Sequence, residues 1–179
     1  MRRIIESTLL SLDGVIGSPH LWASERFDEE ARAAALEQLQ ASDAMLMGRR
    51  TYEIFSGLWP SQTGSYADAI NAIRKYVFSS TLTDTDWSNS TVVSGDVPTE
   101  VKRMKEQDGK DLIMCGHGPL GAALLEHGPL DELQFAIHPV FVGEGTPLFP
   151  PARRWRSNLK STKTHGTGVV VVSCRPAGG

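Results

Sequence analysis

The residues best suited to chemistry form one short loop, Gly116-His117-Gly118-Pro119-Leu120-Gly121. It interrupts an apolar run, Leu112 to Cys115, and leads into an Ala/Leu-rich helical segment. A strand that ends on glycines and turns straight into a helix leaves backbone N–H groups free at the helix's positive end, which attracts phosphate. Gly118 suits the helix entry, Pro119 the first turn, where its missing N–H is not needed, and Gly128 the stop. The loop satisfies G-x-G-x-x-G in the strand–turn–helix setting that motif requires. It departs from the usual dinucleotide fingerprint in two ways. That fingerprint puts a ribose-binding acid roughly 20 residues on, at the end of the next strand. Here that strand, Leu133 to Val140, ends in His138-Pro139, with Asp131 and Glu132 at its start. The loop also falls in the second half of the chain. A dinucleotide held in another manner and a purely structural tight turn both remain open.

Three other segments could serve the same ligand. In Gly48-Arg49-Arg50-Thr51, two guanidiniums and a hydroxyl meet a helix N-terminus, a set suited to bidentate phosphate contact. Basic residues in a first turn oppose the helix dipole unless an anion is present; the alternative is a solvated helix start. Ser79, Ser80 and Thr81 supply hydroxyls at another strand end, or are plain loop residues. Ser11 to Gly17, SLDGVIG, follows the first strand. All four segments sit at C-terminal strand ends, where open α/β sheets place ligands.

Acids and aromatic rings are the candidates for a substrate. Asp13 precedes Gly14 in the first loop, although Asp-Gly is also a common turn pair. Trp22 is followed by Glu25, Asp28 and Glu29, which could equally be an acidic helix start stabilised by the dipole. Trp22, Phe55 and Trp59 could wall a flat heterocycle, with core packing the competing explanation for Phe55. His117 and His138 could donate protons or fill loop and core positions.

The elements that must carry these residues alternate. Strands are expected at Arg3 to Leu10, Asp43 to Gly48, Lys75 to Ser79, Thr91 to Ser94, Leu112 to Cys115 and Leu133 to Val140. A helix is expected from Glu25 to Ala41, with Phe27, Ala31, Ala35 and Leu39 on its apolar face. A short one runs from Arg50 to Leu58, stopped by Trp59-Pro60. Tyr66, Ala69, Ile70 and Ile73 mark the next; Asp96 and Pro98 open another, carrying Val97, Val101 and Met104. A hairpin at the end, Asn158 to His165 and Gly168 to Arg175, turns at Gly166-Thr167-Gly168. Such βα units with a terminal hairpin predict an α/β fold: a mostly parallel mixed sheet with an antiparallel edge.

Composition narrows the class. The 179 residues are 40% hydrophobic and 22% charged, which suits one globular domain over residues 1–179. A net charge of −3 and a pI near 5.9 argue against a nucleic-acid partner. No apolar run approaches the roughly 20 residues of a membrane span, and Glu6 and Asp13 break the N-terminal run too early for a signal peptide. Two cysteines suit a reducing compartment, so the protein is expected in the cytoplasm. The five histidines show no close metal-ligand spacing, so no metal is expected. Val169 to Val172 must be buried in the sheet or in a dimer.

In order and spacing, SLDGVIG, GRRTYE and LLEHGPLDELQFAIHPVFVGEGTPLF resemble the dihydrofolate reductase-like superfamily. The closer resemblance is to the reductase domain of the bifunctional riboflavin-biosynthesis deaminase/reductase and its stand-alone relatives, over about Arg3 to Arg175. It implies a three-layer α/β/α fold, a homodimer and NADPH rather than NADH. It implies a hydride transfer to a small pyrimidine- or pteridine-like heterocycle, or a related carbonyl or imine. By the same likeness Gly116, His117, Gly118, Pro119 and Leu120 wrap the pyrophosphate. Gly48 to Thr51 and Ser79 to Thr81 hold the 2′-phosphate, and Val15, Ile16 and Gly17 lie near the nicotinamide. Asp28 is nearest the offset of the carboxylate that binds a pterin in dihydrofolate reductases, but a proline before it is missing and Arg32 replaces an expected aromatic. Asp13 matches loop positions the riboflavin reductases use. The chain lacks the H-x-E and P-C-x-x-C pattern of a zinc deaminase. A nucleotide-binding module of the same fold without catalysis is the alternative.

Overall fold

The strands that read as unbroken apolar runs lie at the centre of the sheet. Met45, Leu46 and Met47 in β2 (Ser42–Gly48) and Leu112, Ile113 and Met114 in β5 (Asp111–Cys115) are almost fully buried, as parallel strands covered on both faces must be. The computed structural model describes residues 1–149 and 154–177. The other elements are β1 (Ile4–Ser11), α1 (Glu29–Gln40), α2 (Arg49–Leu58), α3 (Ser65–Ala72), β3 (Arg74–Phe78) and β4 (Ser90–Val93). They continue with α4 (Val97–Glu106), α5 (Gly118–His127), β6 (Glu132–His138), β7 (Ser157–Thr164) and β8 (Val170–Pro176). One eight-stranded sheet has the order β4-β3-β2-β5-β1-β6-β8-β7. Six strands are parallel; β8 runs antiparallel to β6, and β7 to β8.

Helices cover both faces. Val101 and Met104 of α4 and Leu120, Leu124 and Leu125 of α5 pack with Ile4, Leu46, Leu112 and Met114. Leu39, Tyr52 and Ile70, from α1, α2 and α3, pack with Met45, Met47, Val77 and Ile113 on the other side. The three-layer α/β/α arrangement follows, with the terminal hairpin as its antiparallel edge. Val170 to Val172 lie in β8, paired on both sides, so the valine run is inside the sheet. The exposed edge falls to β7, protected by Lys160 and Lys163. Among the described residues no helix is long and apolar enough to cross a membrane.

The first helix starts later than its periodicity predicts. Ser24–Arg26 forms a separate 3-10 turn, and α1 begins at Glu29 because the Asp28 carboxylate accepts the Ala31 N–H at 2.9 Å and fixes the cap there. At the start of β3, Lys75 is fully buried. Its ammonium donates to the carbonyls of Asn71, Ile73 and Ser88 at 2.8–3.0 Å and lies 4.2 Å from the Trp87 ring centroid. Burial lowers its pKa to about 8.

Candidate functional site

Neighbouring strands β2 and β5 send their helices to opposite faces of the sheet, α2 to one and α5 to the other, which opens a crevice at their C-terminal ends. Both helix starts face it without a side-chain cap, whereas α1 and α4 are capped by Asp28 and Asp96. The N–H groups of a first turn have no intrahelical acceptor, so α2 and α5 present theirs to a ligand. Gly116 and Gly118 take φ of 78° and 51°, a left-handed conformation that favours glycine. The Gly116 N–H is tied to the Ser7 carbonyl at 2.8 Å. A Cβ on Gly116 would lie 3.9 Å from Thr51 Oγ1, so the two loops meet.

The third segment joins them. Arg49 donates from Nη1 to Thr81 Oγ1 at 2.7 Å and from Nε to Glu53 at 2.6 Å. Ser79 Oγ accepts the N–H groups of Thr81 and Leu82, which shapes that loop. Arg50 and Ser80 are exposed, and Arg50 makes no hydrogen bond or ion pair among the described residues. The resulting groove has a volume of about 1330 Å³. Its described lining includes Arg26, Arg32, Arg49 and Arg50 and no aspartate or glutamate, although the whole chain is net negative. An anion is the ligand such a lining attracts.

The Ser11 to Gly17 loop closes one end. It is cross-braced to Val142–Leu148 by Ile16 N–H to the Thr146 carbonyl and Leu148 N–H to the Gly14 carbonyl, both at 2.9 Å. Ile16 and Gly17 line the groove, while Val15 is buried behind them against Gly145. Asp13 belongs to the brace. It accepts from Ser11 Oγ at 2.6 Å and from the Gly143 and Val142 N–H groups at 2.7 and 3.1 Å. Those donors, Ser11 foremost, lower its pKa to about 2. Neither Asp13 nor the capping Asp28 is among the residues lining the groove.

The expected aromatic wall is half assembled. Phe55 and Trp59 line the groove with centroids 6.2 Å apart, and Tyr66 and Phe27 extend them at 5.1 and 6.0 Å. Trp22 does not line it; its indole N–H donates to the Gly17 carbonyl at 2.9 Å and its ring stands edge-on to His138. Burial raises the Tyr66 phenol and pushes the Cys115 thiol to about 12, so both keep their protons.

Four of the lining residues that carried no functional signal in the sequence are Arg26, Arg32, Tyr66 and His165. His138 and His165 flank Val169, one residue beyond the paired row Ile137–Val170–Thr164. Both are nearly fully buried, with Nδ1 unpartnered among the described residues, and burial, followed by Arg26, lowers the His138 pKa. A fifth residue, Glu6, lies behind the glycine loop, fully buried and bonded to His117. The lone charge within Ile4-Ile5-Glu6-Ser7-Thr8-Leu9-Leu10 was the available clue, because a buried carboxylate needs a partner.

Comparison with known proteins agrees with this architecture. The chain is 29% identical over 181 residues to the uncharacterized protein YyaP of Bacillus subtilis, covering 96% of this chain and 93% of that one. A putative riboflavin biosynthesis protein from Shewanella sp. PV-4 superposes with a TM-score of 0.76 at 18% identity, covering 98% of this chain and 99% of that one. A Thermotoga maritima diaminohydroxyphosphoribosylaminopyrimidine deaminase/5-amino-6-(5-phosphoribosylamino)uracil reductase gives 0.68 at 14% identity, over 98% of this chain and 57% of that one. Residues 2–171 match the family model described as the RibD C-terminal domain, and the chain belongs to that family.

Proposed function

We propose that the chain is an NADPH-dependent reductase acting on a small flat heterocycle, pyrimidine- or pteridine-like, or on a related carbonyl or imine. The observation that carries the reading is the convergence of two uncapped helix starts, Arg49, Arg50 and the Ser79–Thr81 loop on one groove with no acid in its described lining. That donor set fits a dinucleotide bearing an extra phosphate. The N–H groups at the start of α5 would take the pyrophosphate, and Arg49, Arg50 and the loop hydroxyls the 2′-phosphate. Ile16 and Gly17 would border the nicotinamide. The cofactor supplies the hydride; the protein supplies position and field.

The chain's own groups do the rest. The wall of Phe27, Phe55, Trp59 and Tyr66 offers apolar faces to a flat ring and keeps water from it. With no carboxylate in the described lining, a pterin amidine has no anion to pair with, which argues against dihydrofolate as substrate. Protonated Tyr66 and Cys115 and the buried imidazole of His138 are among the lining polar groups that can orient a ring carbonyl or imine.

A non-catalytic nucleotide-binding module is the second reading, favoured by the engagement of Asp13 and Asp28 in brace and cap. NADPH titration followed by fluorescence, then addition of pyrimidine, pterin and small carbonyl substrates, separates the two. Oxidation of NADPH with any of them supports the reductase. Binding without oxidation across the panel supports the module, and no binding refutes both.

A cytoplasmic setting fits the two free cysteines and this cofactor. A homodimer is the expected assembly, because Phe135, Ile137, Val170 and Val172 on the neighbouring strands β6 and β8 are only half-buried. Light scattering at micromolar concentration tests it, and a monomer mass would refute it.

A further inference from the structure

Gly121 has no room for a side chain, and the reason is not helix–strand packing alone. A Cβ there would stand 2.7 Å from Glu6 Oε2, 2.7 Å from His117 Nδ1 and 3.0 Å from Met114 Cε. The space belongs to a buried pair. Both Glu6 oxygens lie on His117 Nδ1, at 2.9 and 3.0 Å, and Thr8 Oγ1 donates to Glu6 Oε1 at 3.0 Å. A carboxylate only accepts, so Nδ1 carries the hydrogen. Glu6 is fully buried and His117 nearly so, with the Phe149 ring edge-on at 5.3 Å.

The position of the pair in the loop gives it a consequence. Glu6 shares a face of β1 with Ile4, which packs against Leu120, Leu124 and Leu125, and so points to the side of the sheet covered by α5. His117 stands between two left-handed glycines and accepts the Gly121 N–H at 2.7 Å through its own carbonyl. With the His117 ring held by Glu6 and the Gly116 N–H held by Ser7, the first two residues of the loop are both tied to β1. We infer that Glu6 is a positioning residue for the pyrophosphate. Through His117 it sets the direction of the N–H groups at the start of α5, and Gly121 is glycine because this clamp occupies its side-chain space.

The inference rests on the NADPH reading above, and the test distinguishes their failures. Two ligands are titrated: NADPH, which carries a pyrophosphate, and adenosine 2′-monophosphate, which carries only the other phosphate. The variants are Gly121→Ala, Glu6→Gln and the paired Glu6→Met/His117→Leu. The paired replacement keeps the volume apolar, and replacing both partners of a buried hydrogen bond by apolar groups of similar shape is often nearly neutral, so it is the variant that stays folded. Thermal melting and near-ultraviolet circular dichroism check that it does.

The expected result is NADPH affinity about tenfold weaker in the paired variant, the equivalent of one lost charge-assisted contact, with adenosine 2′-monophosphate affinity unchanged. Glu6→Gln and Gly121→Ala should shift the same ligand, and their combination should be less than additive because both act through His117. A folded paired variant that binds NADPH as the wild type does would overturn the inference and leave the cofactor reading intact. Equal weakening of both ligands would overturn it too, as general damage rather than loop positioning. A wild-type chain that fails to bind NADPH would end the cofactor reading and this inference with it.

Discussion

The two halves of the groove are built on different principles. The half between α2 and α5 is made of backbone: uncapped first turns, left-handed glycines and one loop pinned to β1, with arginines added on top. The half under α1 and the terminal hairpin is made of packed side chains: an aromatic wall and two buried histidines, with the nearby acids Asp28 and Asp13 committed to cap and brace outside the lining. A backbone site is spelled locally, by glycine and proline at set positions in the chain. Packed sites can be re-lined one residue at a time, which fits a family whose members share a fold at under 20% identity to the solved structures cited here.

The largest expected effect breaks the comparison at its charged end. Arg49→Ala with Arg50→Ala should weaken NADPH far more than NADH, since each charge-assisted contact contributes about 1.5–3 kcal/mol. Equal loss for the two nucleotides, read by fluorescence titration, would place both guanidiniums away from the 2′-phosphate. Asp28→Ala probes the other half. As a helix cap its loss should cost about 1 kcal/mol of stability, with NADPH affinity and turnover kept below the melting temperature. A large fall in turnover at unchanged stability would instead make Asp28 a substrate group.

Smaller still is Tyr66→Phe, which should reduce kcat/KM on any accepted substrate by about 0.5–1.5 kcal/mol, one neutral hydrogen bond, and leave NADPH binding alone. A shift in cofactor affinity would dissolve the division between halves. Any inflection in kcat that His138 governs should fall below its ordinary value of 6.5, because burial and Arg26 lower it. The smallest effect is a slope. Buried Lys75 loses its proton at about 8, against 10.5 for an ordinary lysine. Between those values the unfolded chain holds more protons, so stability should rise with pH there, and Lys75→Met should remove that rise. Urea denaturation at pH 8 and 10 measures it.

The same division governs what could be read from the sequence. The glycine loop, the GRRT start and the order of strands were legible because each rests on local rules of backbone conformation and periodicity. Asp13 and Trp22 were visible as candidates, but Val142 and Gly143, which hold Asp13, and His138, which meets the Trp22 ring, are brought to them only by the pairing of distant strands. Periodicity ran α1 back to Glu25, because it registers apolar spacing and not the carboxylate that ends the helix at Asp28. His165 read as the end of a strand; only the register of β7 on β8 puts it beside Val169 in the groove. Glu6 was on view as a lone charge, and its role needed the position of Gly121.

The most direct measurement is the affinity of the unaltered protein for NADPH and for NADH in the same buffer. The proposed groove, with one place for a pyrophosphate and another for a 2′-phosphate, predicts saturable binding of NADPH at least about tenfold tighter than NADH, the worth of one charge-assisted contact. Equal affinities, or no binding of either nucleotide, would contradict the account at its root.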